Sequence, residues 1–259
     1  MAGMAHPPDS KQRFSDRVAD YVRYRPSYPR EAIDIVRREA GLAADAIVAD
    51  VGAGTGISSA LWLDAGATVY AVEPNDAMRA AAAVLLGARP RFHAVAGSAE
   101  ATTLVAGSVD LVTAAQAFHW FERDACRREF RRILKPAGFV ALLWNSRHVD
   151  TTPFLRGYEE LLHRFATDYA AVNHQNIDAA KVAEFYAPGR CLRAVVPNSQ
   201  TFDFAGVRGR LLSSSYAPPA GDPRHEPMLA ALRALFDEHA DRGGVRFDYD
   251  TEIYVGRLE

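Results

Sequence analysis

Apolar residues recur along this chain with two periods, and each change of period marks an element. Phe14, Val18, Tyr21 and Val22 fall at i, i+4, i+7 and i+8, the stripe of an amphipathic helix that "RPSYP" (25–29) must end. A second helix carries Ile33, Val36 and Ala40 on one face and runs out at Gly41. AIVADV (46–51) is instead a short, mostly apolar run with β-branched residues, which predicts a strand buried on both faces. Ile57, Leu61 and Trp62 resume a helix up to Gly66, and ATVYAVE (67–73) reads as a strand ending in an acid, completing a βαβ unit. Asn75 or Asp76 then caps a helix whose buried face is Met78, Ala82, Leu85 and Leu86.

RFHAVAG (91–97) and VDLVTAAQ (109–116) predict a third and a fourth strand. AFHWF and a helix with Cys126, Phe130, Ile133 and Leu134 inward follow, ending at Pro136 and Gly138, and GFVALLW (138–144) is the fifth strand. Strands alternating with helices at these spacings predict an α/β fold doubly wound about a mostly parallel sheet, with ligands at the carboxyl ends of the strands. The last third begins with a helical stripe at Phe154, Tyr158, Leu161, Leu162, Phe165 and Tyr169, read as a lid or insertion. A weaker strand near 195–204 and a helix carrying Met228, Leu232, Leu235 and Phe236 come next. In the closing VRFDYDTEIYVGRL, Val245, Phe247, Tyr249, Thr251, Ile253 and Val255 alternate with Arg246, Asp248, Asp250 and Glu252. That period of two marks a half-exposed strand, suited to an antiparallel partner.

With 259 residues, 49% of them hydrophobic, the chain can bury one sizeable core, so the expectation is one domain with appendages. Residues 1–41 would be cap helices, 42–145 the core, 146–192 the insertion or lid, and 193–259 the elements completing the sheet. Thirty basic against thirty-two acidic residues leave a charge of −2 without a long block of one sign. The footprint of a nucleic-acid binder is missing, and a small-molecule partner is expected. MAGMAHPPDSK lacks a signal-peptide layout, and no run approaches the roughly 20 apolar residues of a membrane span, so a cytoplasmic protein is expected. Two cysteines and eight scattered histidines match no disulfide framework and no metal-site spacing, and no metal is expected.

The chemistry centres on DVGAGTG (50–56). Glycines at 52, 54 and 56 let backbone nearly touch a ligand, which by the stretch alone is a dinucleotide, a nucleoside phosphate or a nucleoside without phosphate. The dinucleotide pattern Gly-x-Gly-x-x-Gly has Ile57 where its third glycine belongs, and no Lys-Ser/Thr ends the loop as in a Walker motif. Glu73, at the end of the next strand and nineteen residues after Gly54, is placed to accept from two ribose hydroxyls. Asp50 would repel a nearby pyrophosphate but suits a cationic amino acid, which favours a nucleoside with a positive end.

AIVADVGAGTGISSAL, VYAVEPNDAM, AGSAEATTL, VDLVTAAQAFHWF and FRRILKPAGFVALLWN, in this order, resemble the motif series of class I S-adenosylmethionine-dependent methyltransferases. The chain is similar, more narrowly, to the methyltransferase type 11 family, including members resembling trans-aconitate methyltransferase. FSDRVADYVRYRPSYP, SSSYAP and YDTEIYVGRL extend the resemblance over nearly the whole chain; PAG at 136–138, where the family more often has PGG, lies in a turn. The resemblance implies a Rossmann-like seven-stranded sheet with an antiparallel last strand and S-adenosyl-L-methionine as cofactor. By position, Gly52, Ala53, Gly54 and Gly56 would pass under its methionine part, Asp50 would hold the site through the amino group, and Glu73 would bind the ribose. Pro74 and Met78 would wall the adenine, Ser98, Ala99 and Glu100 would meet its exocyclic amine, and Gln116 and Ala117 would lie beside the sulfonium.

Other residues carry open alternatives. His119 is either a base for a hydroxyl or amine nucleophile or a packed wall residue, and Trp120 either lines the acceptor pocket or belongs to the core. Tyr21, Arg25 and Tyr28 either cover the cofactor, with Arg25 on its carboxylate, or sit at the surface beside a rigid turn. Arg147 and Arg210 are unranked candidates for a substrate carboxylate. Methyl transfer is an in-line displacement that needs orientation in a dry site more than a fixed catalytic residue. The acceptor, a carboxylate, a hydroxyl or another nucleophile, stays open, as does the oligomeric state. The rivals are a nicotinamide-dependent oxidoreductase and a methyltransferase-like protein that binds the nucleoside without turnover.

Overall fold

The computed structural model describes residues 22–167, 169 and 179–259. The first predicted helix, apart from Val22, lies outside them. Helix α1 (Arg30–Glu39) buries Ala32, Ile33, Ile35 and Val36, and Gly41 behind it takes φ +62. Strands β1 (Ile47–Val51), β2 (Thr68–Val72), β3 (Phe92–Val95), β4 (Val109–Ala115) and β5 (Leu134–Arg147) alternate with α2 (Ile57–Asp64), α3 (Asp76–Leu86) and α4 (Arg123–Ile133). Then come α5 (Pro153–Phe165), α6 (Ala179–Tyr186), β6 (Cys191–Phe202), α7 (Phe204–Leu212), α8 (His225–His239) and β7 (Val245–Gly256).

The seven strands form one sheet in the order β3-β2-β1-β4-β5-β7-β6. Strands β1 to β5 pair in parallel, and β7 runs antiparallel between β5 and β6. The winding reverses between β1 and β4, where a doubly wound sheet opens a crevice at its carboxyl edge. Helices cover both faces: Ile33, Val36 and Trp62 pack with Val48, Val69 and Leu111 on one, and Cys126, Phe130 and Ile133 with Val112, Val140 and Leu142 on the other. Phe154, Tyr158, Leu161 and Leu162 of α5 pack with Val207, Met228, Leu232 and Phe247, a third cluster beyond the end of β5.

In β7, Val245, Phe247, Tyr249, Thr251, Ile253 and Val255 are all buried, so the period of two reports its inner face. Three sequence expectations shift. Leu85, expected inward on α3, is 52% exposed, because Met78, Ala82 and Leu86 suffice to cover the sheet. Helix α4 stops at Ile133, ahead of Pro136 and Gly138, and Leu134 is already extended and pairs with Val109. Strand β6 starts at Cys191, before the expected 195, because it follows β7 along its whole length, Cys191 opposite Gly256 and Phe202 opposite Val245.

One tie holds the loop after β3 in place. The Glu129 carboxylate on α4 accepts from Thr102 N at 2.8 Å and Thr102 Oγ1 at 2.5 Å, and Arg132 Nε donates to it at 2.7 Å. The Arg132 guanidinium, aided by Thr102, holds the Glu129 carboxyl down to about 2. A folded pKa below the ordinary value of about 4.3 adds stability above that value and loses it as pH falls toward 2. In Glu129→Gln the acid limb of the stability curve should flatten, with a cost of about 1–3 kcal/mol at neutral pH. Urea unfolding from pH 7 to pH 3 checks both.

Candidate cofactor cavity

Strand β1 delivers the glycine loop to the crevice, and Gly52 N and Ala53 N donate to Val72 O at 2.9 and 3.2 Å, tying the loop to β2. Gly52 has φ +69, and a Cβ there would lie 2.6 Å from Ala117 Cβ and 3.3 Å from the Phe121 ring. Gly54 has φ +57, and its missing side chain faces open space. The loop therefore presents bare backbone to a void.

Glu73 stands across from it. Its Oε2 accepts from Gly54 N at 2.9 Å and its Oε1 from Asn75 N at 2.8 Å, while Arg79 Nη1 donates to the Glu73 carbonyl at 2.8 Å. Burial pushes the Glu73 carboxyl up, against the two backbone donors and Arg79. Asn75 caps α3 through Met78 N, which fixes the turn carrying Pro74 and Met78.

Between them lies a cavity of about 240 Å³, lined by Gly52, Gly54, Glu73, Pro74, Asn75, Met78, Ser98, Ala99, Glu100, Gln116, Ala117, Trp120 and Phe121. A smaller cavity of about 60 Å³ adjoins it, sharing Gly52, Gly54 and Gln116 and adding Arg25, Tyr28, Ala53, Asn145 and Arg210 among others. Gln116, at the junction, has φ +57, a conformation that L residues rarely hold. Two contacts hold it there: its N donates to Leu143 O at 2.8 Å, and its Oε1 accepts from Asn145 N at 2.8 Å.

Residues 49–142 match the family model described as a methyltransferase domain. The chain is 36% identical over 156 residues to an uncharacterized methyltransferase-like protein of Schizosaccharomyces pombe, covering 60% of this chain and 59% of that one. It is 40% identical over 139 residues to an uncharacterized methyltransferase of Mycobacterium bovis, covering 54% of each. The chain thus spans a little over half the length of these curated relatives. Among solved structures it is similar to a proposed type II methyltransferase of Anaeromyxobacter dehalogenans, with a TM-score of 0.66, 25% identity, and coverage of 91% of this chain and 98% of the other. Phosphoethanolamine N-methyltransferase 2 of Haemonchus contortus, in complex with S-adenosyl-L-methionine, shares the fold at a TM-score of 0.54 and 13% identity, over 96% of this chain and 58% of that one.

Two of the expected site residues, Asp50 and Gly56, are not among those lining the two cavities. Asp50 is fully buried and borders neither cavity; Ser58 and Ser59 Oγ donate to its Oδ2 at 2.6 and 2.5 Å, so it pins the first turn of α2 beneath the loop. Burial pushes its carboxyl up, against those two hydroxyls. Gly56 also borders neither cavity. It caps α2 at φ +87, and a Cβ there would lie 2.7 Å from Leu86 Cδ1, so it serves helix entry and packing. The remaining glycine-loop, Glu73, Pro74, Met78, 98–100 and 116–117 residues do converge on the two cavities.

His119 is exposed in a neighbouring cleft of about 660 Å³ with Glu100, Glu122 and Lys181, outside the lining of both loop cavities. Trp120 lines that cleft and the 240 Å³ cavity alike. Arg25 and Tyr28 line the 60 Å³ cavity, and Arg25 Nη2 donates to Ser213 O at 2.9 Å. Tyr21 lies outside the described residues. No sequence signal marks Asn145, which lines the small cavity because β5 runs on past residue 144. Among the described residues no group of His, Cys, Asp and Glu is arranged to hold a metal ion, and no helix is long and apolar enough to cross a membrane.

Proposed function

We propose that the larger cavity, together with the Arg25 side of the smaller one, binds S-adenosyl-L-methionine and that the chain transfers its methyl group to a small-molecule acceptor. The observation that carries this reading is the Glu73 carboxylate on the cavity wall. Each oxygen takes one backbone N–H, from Gly54 or Asn75, and keeps a lone pair for a ribose hydroxyl. The residues around it fit the rest of the nucleoside. Pro74 and Met78 offer an apolar wall for a base, and Ser98 and Glu100 supply polar groups beside it. Gly54 leaves open the space a methionine chain needs on its way to Gln116, and Arg25 in the small cavity suits a carboxylate. The Haemonchus structure of the same fold holds this cofactor. A dinucleotide is disfavoured by Ile57 at the helix entry; Asp50, buried behind the serines, no longer weighs on that choice.

The bound cofactor supplies an electrophilic methyl group on a sulfonium. The chain's part is to hold and align. Gln116, held at positive φ by Leu143 and Asn145, fixes the junction of the two cavities. Gly52, Ala117 and Phe121 close the wall behind it. With His119 in the outer cleft, neither loop cavity is lined by a histidine, and this reading rests catalysis on proximity and exclusion of water. Trp120, which faces both the cofactor cavity and the outer cleft, is assigned to the acceptor side.

The cofactor needs the charged form of Glu73 as an acceptor. Because burial raises that carboxyl, affinity for S-adenosylhomocysteine should be flat above neutral pH and begin to fall at a higher pH than an ordinary glutamate, at about 4.3, would impose. Titrations between pH 8 and pH 5 check this, and in Glu73→Gln the dependence should vanish. The activity itself is tested by incubating the protein with S-adenosylmethionine and a panel of small carboxylates, phenols, amines and thiols. Acceptor-dependent release of S-adenosylhomocysteine supports the proposal, and reduction or oxidation of a nicotinamide by the same preparation would overturn it.

A further inference from the structure

Two arginines near the small cavity are almost wholly buried, and the structure ranks them. Arg147, 5% exposed, is neutralised: its Nη2 pairs with the Glu159 carboxylate and lies 3.2 Å from Tyr169 Oη, which itself donates to Glu159. Arg210, 4% exposed, lines the cavity. Its Nη1 donates to Ser214 Oγ at 3.2 Å, and Tyr249 hydrogen-bonds it, but its Nε is buried with no partner. No carboxylate pairs with it among the described residues. The groups facing it are phenols, from Tyr158, Tyr216 and Tyr249, and the Tyr158 hydroxyl is likewise buried without a partner.

A buried guanidinium without an anion is costly, and such a group is compensated when a counter-ion arrives. The surplus is local. Burial alone would raise the Tyr216 phenol, yet Arg210, Arg25 and Arg147 together pull it below its ordinary value. Arg147 has the Glu159 carboxylate beside it, and Arg210 has no such partner among the described residues. The cofactor of the proposed function brings one carboxylate together with its own ammonium and sulfonium charges, so its arrival leaves the surplus in place.

Resting on that reading, we propose that Arg210 anchors a carboxylate of the methyl acceptor, and that the methylated atom is a second nucleophile of the same molecule. A planar carboxylate matches the guanidinium edge that carries the unpartnered Nε. Oxygens bound to a guanidinium have their charge offset and lone pairs engaged, so they serve as the handle and another atom attacks.

The test titrates protein saturated with S-adenosylhomocysteine with benzoate, succinate and methylphosphonate, and with the matched neutral benzamide and succinamide. At least one carboxylate should bind at least tenfold more tightly than its amide and than methylphosphonate. Arg210→Gln should lose that preference while S-adenosylhomocysteine affinity stays within about twofold, and Arg210→Lys, which keeps the charge, should retain part of it. Should Arg210→Gln fail to fold, Arg210→Lys carries the comparison through its smaller preference. Equal binding of acid and amide, or tighter binding of methylphosphonate, would overturn the carboxylate anchor. Parallel loss of S-adenosylhomocysteine in a folded Arg210→Gln would overturn it too, by assigning Arg210 to the cofactor. With S-adenosylmethionine present, the bound probe carboxylate should yield no base-labile methyl ester, and formation of one would overturn its role as a handle. Failure of the wild type to bind S-adenosylhomocysteine would strike the proposed function instead, and the carboxylate titration of ligand-free protein would still report on Arg210.

Discussion

Glu73→Ala is expected to weaken S-adenosylhomocysteine binding by about 100-fold or more, with the fold intact. Each hydrogen bond from a hydroxyl to a carboxylate contributes about 1.5–3 kcal/mol, and two are lost together, which amounts to about two powers of ten at the lower end. The loop also loses the acceptor that holds Gly54 N at 2.9 Å, so the bare backbone is left less well placed. Stability should suffer less, because burial already disfavours the charged carboxylate and its removal relieves that strain. Glu73→Gln keeps the shape and one acceptor and should lose about tenfold. Calorimetric titration beside thermal unfolding separates binding from folding, and an alanine variant that binds as tightly as the wild type would remove Glu73 from the site.

The second large effect falls on the glycine loop and differs between neighbours. In Gly52→Ala the new methyl would stand 2.6 Å from Ala117 Cβ at φ +69, so both strain and overlap must be relieved by moving cavity walls. Left-handed strain of about 1–2 kcal/mol plus overpacking of about 1–3 kcal/mol predicts a thermal midpoint lower by several degrees and no measurable cofactor binding. Gly54→Ala carries similar strain at φ +57 but meets nothing within 4 Å, so it should fold nearly as well while its methyl fills the space the ligand needs. Gly41→Ala is the control: φ +62 and open space, far from the crevice, with some stability lost and binding unchanged. Equal binding by all three variants would contradict the loop's part in the cavity.

How much of this was legible in the sequence follows from what each residue's signal depends on. The strand and helix periods are local, so the βαβ units and the alternation of Val245 to Val255 could be read directly, and they fix the sheet with its antiparallel β7. Gly52, Gly54 and Glu73 were legible because turn and strand end place them at the carboxyl edge whatever packs elsewhere. The partners of Asp50 were not legible, because β1 is buried on both faces, where no period tells which neighbour a side chain meets; Ser58 and Ser59, eight and nine residues on, donate to it. Arg147 and Arg210 are alike in sequence, and only the fold sets Glu159 beside one and tyrosines beside the other. Asn145, which receives Thr251 Oγ1 at 2.6 Å and faces the small cavity, depends on a strand partner 106 residues away.

Calorimetric titration of the purified protein with S-adenosylmethionine, S-adenosylhomocysteine and NAD, side by side, decides whether the crevice is a methyl-donor site. We expect one molecule of either of the first two to bind per chain and NAD to show no heat. Binding of NAD, or of none of the three, would contradict the assignment and leave the methyltransferase fold without its cofactor.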